Sequence, residues 1–540
     1  IEPIVAQHPQ NTRALQKRAE IFYFVENYTR SIDDVNSIIE INLNNDELYL
    51  LRGSNYEKTN EYQKAEADYT KAIELDPEND ANYYKRGRFY FLTLEDYEKA
   101  IADYTRAIEL DPVDPYNYYE RGYTFDENEQ YNEALASYLK AEELDKDKSL
   151  AKSVPLYNNM AIVFENLNQN DKAIEYYTKQ IAISPDYFLG YINRAYRYAA
   201  DLKDYEKAEA DYTKAIELDP ENDENYYERG YFYRYYLEDY EKAIADYTRA
   251  IELDPVDPYK YYQRGYTFDE NEQYNEALAS YLKAEELDKD KSLAKSQALY
   301  NNMAIVFQNL NQNDKAIEYY TKEIEISPDY FLGYINRAYR YAADLKDYEK
   351  AEADYTKAIE LDPENDENYF KRGFFYRYCL EDYEKAIADY TRAIELDPVD
   401  PYNYFHRGEA YRFNGQHNEA LASYLKAEEL DKDKSLAKSE SLYNNMAVIF
   451  DVPGQNDKVV EYITKEIEIS PQNTKALQNR AVLYTRVKDY EKAEADYTKA
   501  MELDPEDDEN YYYRGNLYRI YLEDYEKAIA DYTKAIEINP

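Results

Sequence analysis

In the stretch YNEALASYLKAEEL, residues 131–144, the apolar positions Ala134, Leu135, Tyr138 and Ala141 recur at steps of three and four. Apolar positions at that step line one stripe of an α-helix. The polar run Asn128-Glu129-Gln130 precedes the stripe and reads as a turn. Ahead of the turn, Asp114 is a good N-cap, and Pro115 takes the first helical position, where a missing N–H costs nothing. Tyr119, Tyr123 and Phe125 carry that first helix to about Asp126. In most copies "LDP" or "ISP" closes the second helix, because proline disfavours helix at the residue before it. The predicted element is a helix pair joined by a short polar turn.

The pair recurs along the whole chain. The segment YEKAIADYTRAIELDPVDPY opens at Tyr97, Tyr240 and Tyr383, each 143 residues after the last. Weaker relatives inside that interval open at Tyr62, Tyr131 and Asn170. The anchoring alanines Ala65, Ala100, Ala134, Ala173 and Ala208 are spaced by 35, 34, 39 and 35 residues. The series continues through Ala243, Ala277, Ala316, Ala351, Ala386, Ala420, Val459, Ala493 and Ala528, and Val35 holds the same place at the start. That gives fifteen units of about 36 residues, a period that signals a solenoid. The expected organisation is residues 1–61 as N-terminal units with an atypical, cap-like first one, four-unit super-repeats over 62–204, 205–347 and 348–489, and two last units over 490–540 without a capping helix.

Composition narrows the function. Apolar residues make up 44% of the 540, enough for a core, while Asp plus Glu outnumber Lys plus Arg by 111 to 65. A formal charge of −46 argues against nucleic acid and against anionic membrane surfaces, and it favours cationic partners. No apolar run approaches the roughly 20 residues that span a bilayer. The chain opens on Ile1, so its missing leader assigns no compartment. Cys379 is the only cysteine and stands where Tyr236 stands one interval earlier, so it reads as a packing residue. Asn27-Tyr28-Thr29 is a glycosylation triplet whose use depends on compartment.

Gly53, Gly87, Gly122, Gly230, Gly265, Gly373, Gly408 and Gly515 share one place in the first helix. Glycine inside a helix costs roughly 1 kcal/mol relative to alanine, so its recurrence needs a gain. Close approach of the second helix at its recurring alanine is the expected one. Together these residues resemble the tetratricopeptide repeat (TPR) family, whose pattern one unit reproduces as Tyr226, Gly230, Tyr233, Ala243, Tyr247, Ala250 and Pro255. Tyrosine stands where the family usually has tryptophan, of which this chain has none. Many units carry one extra residue in the turn, since Gly230 to Ala243 is 13 and Gly122 to Ala134 is 12. The resemblance runs from about Pro9 to Pro540. It implies an all-α α-solenoid, a right-handed superhelix of antiparallel helix pairs with a concave face formed by the first helices.

Residues 62–204 and 205–347 differ at 14 of 143 positions. Recent duplication explains this, and so does selection for a surface repeating every four units, as in a filament or against a periodic partner. The last unit is close to consensus with nothing after it to cover its apolar flank. An excerpt of a longer array, docking on another protein, or stacking on further copies would each account for that. Two functions are therefore expected. One is a non-enzymatic structural scaffold assembling head to tail into a filament. The other is an adaptor holding a peptide, a cationic protein or a glycan in a Tyr-rich concave groove.

No catalytic motif, cofactor motif or metal constellation accompanies His8, His406 and His417, and the last two read as surface variation. The acidic run DPENDEN at Asp219 and Asp362 lacks the glycine and distant glutamate of a calcium loop and reads as helix stop and N-cap. Counted from the glycine, residues three before and one after should line the concave face, namely Tyr119 with Tyr123, Tyr227 with Tyr231, Tyr262 with Tyr266, and Phe370 with Phe374. Arg234 and Arg377 sit four after it. Either neighbouring units cover these rings or the rings form a groove, where tyrosine offers rigid amphipathic area. Chaperone-binding members of the family clamp a C-terminal carboxylate with Lys and Asn. Here those positions carry mostly Tyr, Phe or Arg, so that mode is not expected.

Overall fold

The stripe and the turn build what their spacing predicts. In that unit the two helices are Pro115–Glu127 and Tyr131–Leu144, with the Asp114 carboxylate accepting from Tyr116 N at 3.0 Å. The protein is described by a computed structural model covering all residues except 1–10, 42–44, 154–155, 290–292, 294–297, 433–435, 437–441 and 452–454. His8 and Pro9 therefore lie outside the described residues. Among the described residues fifteen such pairs follow one another and no strand occurs, an all-α solenoid. Contacts group the chain into two halves, Ile1–Glu272 and Gln273–Pro540. The longer 39-residue interval holds a short helix, Ser149–Ser153, started by the buried Asp145 carboxylate, which accepts from Leu150 N and Ala151 N.

The core runs along each half. The anchoring alanines and the tyrosines four residues after them are buried, as with Ala100 and Tyr104, Ala243 and Tyr247, and Ala386 and Tyr390. One pair hands its apolar face to the next, so that Tyr119, Tyr138, Leu156, Tyr157, Phe164 and Tyr177 form one cluster. The glycines face a different partner from the expected one. A Cβ on Gly122 would lie 2.8 Å from the Tyr138 ring, and one on Gly408 would lie 2.7 Å from Tyr424. The close approach is to the tyrosine ring, and the alanine carbonyl follows only at Gly53 and Gly408, with Ala65 O at 3.4 Å and Ala420 O at 3.3 Å.

The extra residue of the 13-spaced units is also elsewhere than expected. It widens the last turn of the first helix instead of lengthening the loop. Asp239 N reaches back six residues to Tyr233 O at 3.0 Å, whereas Gln130 N in a 12-spaced unit reaches back five to Phe125 O at 2.8 Å. Three later copies make full π-helical turns there, Tyr341–Leu345, Tyr376–Leu380 and Tyr518–Leu522. Cys379 lies partly buried in the second of these, within a core cluster. A residue of positive φ then ends the helix, such as Glu238 at 53°.

A three-point staple ties many units to the one before, though Met160, Met303 and Met446 stand in place of its arginine in three of them. The arginine preceding the glycine forks onto an aspartate of its own second helix and reaches a threonine of the preceding one. Arg229 binds Asp246 at 2.7 and 2.9 Å and Thr213 at 3.1 Å. Arg86 and Arg372 repeat this with Asp103 and Thr70 and with Asp389 and Thr356. Bidentate, half-buried pairs of this kind are among the stronger polar contacts. Where Ser137 replaces the aspartate, Arg121 trades the fork for a single 3.2 Å bond to its hydroxyl beside a 3.4 Å bond to Thr105, and burial holds that guanidinium below its usual range.

The acidic run is a stop followed by a start. Asn222 accepts from Glu224 N, and buried Asn225 donates to Ala215 O and Asp219 O. The second copy does the same with Asn365 and Asn368. Asn27 is likewise an N-cap, accepting from Arg30 N.

Candidate functional site

The first helices carry the expected aromatic residues, and the structure divides them. Tyr119 is core. Its ring packs 5.8 Å from Tyr138, its hydroxyl accepts from Asn159, and Tyr123 stacks on it at 6.3 Å. Tyr227 is half-buried against Tyr247 at 5.6 Å. Tyr231 is half-buried and lies 4.2 Å from the exposed ring of Tyr235. Phe374 repeats that pairing with Tyr378 at 4.2 Å, both exposed. Tyr262 and Tyr266 are half-buried neighbours at 6.3 Å. Phe370 packs against Tyr390 and His406.

The two arginines are not groove cations. Arg234 and Arg377 are each 5% exposed and spend their charge on the next unit. Arg234 bonds Glu270 at 2.6 Å and Gln263 at 2.9 Å, with its guanidinium between the Tyr235 and Tyr266 rings at 4.4 and 3.9 Å. Arg377 meets Glu409 at 2.5 Å, His406 at 3.2 Å and the Tyr378 hydroxyl at 2.6 Å. His406 is thus a buried member of an ionic cluster and not surface variation, while His417 is exposed. Burial alone would raise the Glu409 carboxyl, but His406 and Arg377 together hold it below the usual carboxylate range.

Two recesses lie on these faces in the second half. One of about 700 Å³ is lined by Phe331, Ile335, Asn336, Tyr339, Tyr355 and Lys371, among others. Another of about 350 Å³ joins Phe370 to Asp366, Glu367, Asp400 and Asn403. Several carboxylates near the rings lack a basic partner among the described residues, and burial raises them. Asp269, beside Tyr266's helix turn, is pushed up to about 6 by burial and by Glu270. Asp126 reaches about 6 by burial and by Glu127. Burial and then Glu224 raise Glu228, while burial, Asp397 and Asp366 raise Asp400. An anionic, aromatic surface of this kind can take ammonium and guanidinium groups through ion pairs and cation–π contacts. Among the described residues no three His, Cys, Asp or Glu side chains converge on a metal-sized site. None of the helices is long and apolar enough to cross a membrane, again among the described residues.

Tyr235, Tyr378, Glu270 and Glu409 were not expected at the site. The two tyrosines stand one helical turn beyond Tyr231 and Phe374, so four-residue spacing along the same face would have found them. The glutamates become visible only when the next unit is laid beside the first.

Comparison with known proteins gives a consistent result. A model described as tetratricopeptide repeat matches residues 154–187, 190–222, 261–291, 298–330, 333–365, 401–434 and 508–540. Others of that description match 50–115, 103–136, 211–245 and 474–507, and a TPR repeat model matches 234–271 and 377–412. The photosystem I assembly protein Ycf3 of Rippkaea orientalis is 33% identical over 96 residues, which is 16% of this chain. The chain spans about half the length of that curated relative, 54%. Among solved structures, YrrB, a TPR protein with an unusual peptide-binding site, is 24% identical with a TM-score of 0.30, over 35% of this chain and 92% of that one. The C-terminal part of a TPR repeat-containing protein from Cytophaga hutchinsonii is 20% identical with a TM-score of 0.40, over 45% and 97%. The APC/C hetero-tetramer Cut9–Hcn1 is 16% identical with a TM-score of 0.33, over 96% and 97%.

Proposed function

This chain belongs to the tetratricopeptide repeat family, and from that premise we propose that it is an interaction scaffold whose first-helix face takes a basic segment of a partner protein. Repeats of this family mark protein–protein interaction scaffolds, which generally have no catalysis of their own. The carrying observation is the set of half-buried carboxylates beside aromatic rings with no lysine or arginine facing them among the described residues. Asp400 with Asp366 at Phe370 is the clearest, and Glu228 beside Tyr227 is its counterpart in the first half. A lysine or arginine entering there would neutralise buried charge and stack on a ring, which uncharged segments cannot do.

Titration calorimetry with an arginine- and lysine-rich peptide tests this. Affinity is expected to fall about tenfold, ~1.4 kcal/mol, in a Phe370→Ala/Asp400→Asn double variant, since Asn keeps the N-cap while removing the charge. Binding in the first half should also weaken as pH drops through about 6, where Asp126 and Asp269 gain protons. A neutral peptide bound as tightly as the basic one would end the reading.

A further inference from the structure

The junction after each super-repeat's fourth second helix departs from the consensus in a paired way. At most other junctions the second helix presents alanine, as at Ala215 and Ala358, and the next first helix presents a buried asparagine, Asn225 or Asn368, with Lys260 in that place after Ala250. At this junction a long polar side chain replaces the alanine and a small residue replaces the asparagine. The pairs are Gln180 with Gly190, Glu323 with Gly333, and Glu466 with Ala476. The long chain fills the space the asparagine vacates. A Cβ on Gly333 would stand 3.3 Å from Glu323 Oε2, and one on Gly190 would stand 3.1 Å from Gln180 Oε1.

The three copies treat the polar end differently. Gln180 is a neutral amide. Glu466 is less buried and accepts from Asn473 at 2.9 Å. Glu323 is 1% exposed, and neither carboxylate oxygen has a hydrogen-bond partner among the described residues. A bare carboxylate in such a place is tolerated only with its proton on.

We infer that the seat of helix Phe331–Arg340 on helix Asn313–Ile326 is a pH-gated joint: a proton on Glu323 keeps the two helices packed, and its loss loosens them. The surroundings offer nothing to stabilise the anion. The preceding helix, Ala298–Asn309, carries no acidic or basic residue. On Glu323's own helix, Lys322 turns away to Glu285 at 3.1 Å, and Tyr320 is held by Gln308. From the following helix, Arg337 is committed to Asp354 at 2.7 Å and Arg340 to Asp344 at 3.1 Å. Tyr330 at the junction is raised by burial and then by the Glu323 charge, and Asp329 is exposed. Burial pushes the Glu323 carboxyl from 4.5 up to about 7. Because the folded value lies above the unfolded one, the packed joint is fully favoured below pH 4.5, weakens as pH rises, and has lost the whole contribution above about 7. The helix at stake supplies Phe331, Ile335, Asn336 and Tyr339 to the 700 Å³ recess, so loosening it changes that recess whatever occupies it.

Amide hydrogen exchange of the full chain, corrected for intrinsic rates, reads the joint directly. Over residues 313–340 the opening equilibrium should rise about 30-fold between pH 5.5 and 8.5. Residues 170–197, the Gln180 copy, should not change. Glu323→Gln should remove the pH response, and Gln180→Glu should install it at the first junction. Equal pH responses in the unaltered chain and Glu323→Gln, or failure of Gln180→Glu to confer one, would overturn the proposal.

Discussion

Replacing Arg377 by methionine should destabilise the junction it spans by about 3–5 kcal/mol, the usual cost of stranding a buried charge. Its side chain is 4% exposed and that of Glu409 is 10% exposed, so solvent cannot take over from the lost guanidinium. Methionine fills a similar volume, which makes charge and not a cavity the cause. The diagnostic comparison is Arg377→Met/Glu409→Met, which removes both charges and should recover most of the loss, because paired burial is itself expensive. The loss should be local. An array of nearest-neighbour contacts opens unit by unit, so exchange protection of residues 366–413 is the right measurement and a single melting temperature is not. Equal loss in the single and double variants would show that the cluster matters only as packing. Glu409's depressed value also sets a direction with pH. Its contribution is present above the unfolded carboxylate range and is lost as acid protonates it.

Lys260→Met should cost about 2–3 kcal/mol at pH 7, less than a fully buried pair because the partners are partly solvated. The ammonium is buried and contacts Asp223 at 2.6 Å and Asp254 and Asp257 at 3.0 Å each. Lys260 itself is raised, since the bonds to Asp223, Asp254 and Asp257 outweigh a desolvation that alone would lower it. Its contribution is therefore complete at neutral pH and is lost only as alkali deprotonates it. The chain contains its own control. Asn117 and Asn403 occupy the equivalent place, and there Asp114 and Asp400 are raised by burial for want of a cation. Lys260→Asn should consequently be tolerated far better than Lys260→Met. Denaturation followed by exchange over residues 223–270 separates the two, and identical losses would mean that the triad of acids does not need its cation.

Much of the fold could be read from spacing alone. Ala134, Leu135, Tyr138 and Ala141 announce their helix, and fifteen anchors in phase announce the array, because both signals are local and repeated. The extra residue at Gly230–Ala243 was visible as a count, but its placement was not. A loop and a widened helix end consume one residue equally, and only the backbone bond from Asp239 to Tyr233 distinguishes them. The glycine's partner was misplaced by one helical turn for a similar reason. Ala243 marks the approach, but the ring of Tyr247 occupies the space.

The site was harder to read because the relevant facts are pairwise across units. Arg234 looks like a groove cation until Glu270 is set against it. His406 looks incidental until Arg377 and Glu409 close around it. The two super-repeats that differ at 14 of 143 positions hid a further signal. Those few differences include Asn117 against Lys260, Glu120 against Gln263 and Gln180 against Glu323. The sameness lies mostly on the repeated framework, while part of the buried chemistry sits in these exceptions.

Each three-point staple reaches only one unit back, from arginine and aspartate to a single threonine. Under tension, the load within either half would therefore pass link by link instead of being shared. A joint that gives way releases one unit, about 120 Å of extended chain, and leaves the rest locked. Arg121, with a serine where its aspartate should be, Met160, Met303 and Met446, standing where the arginine should be, and Glu323, with its unanswered carboxyl, mark where such a tether would lengthen first.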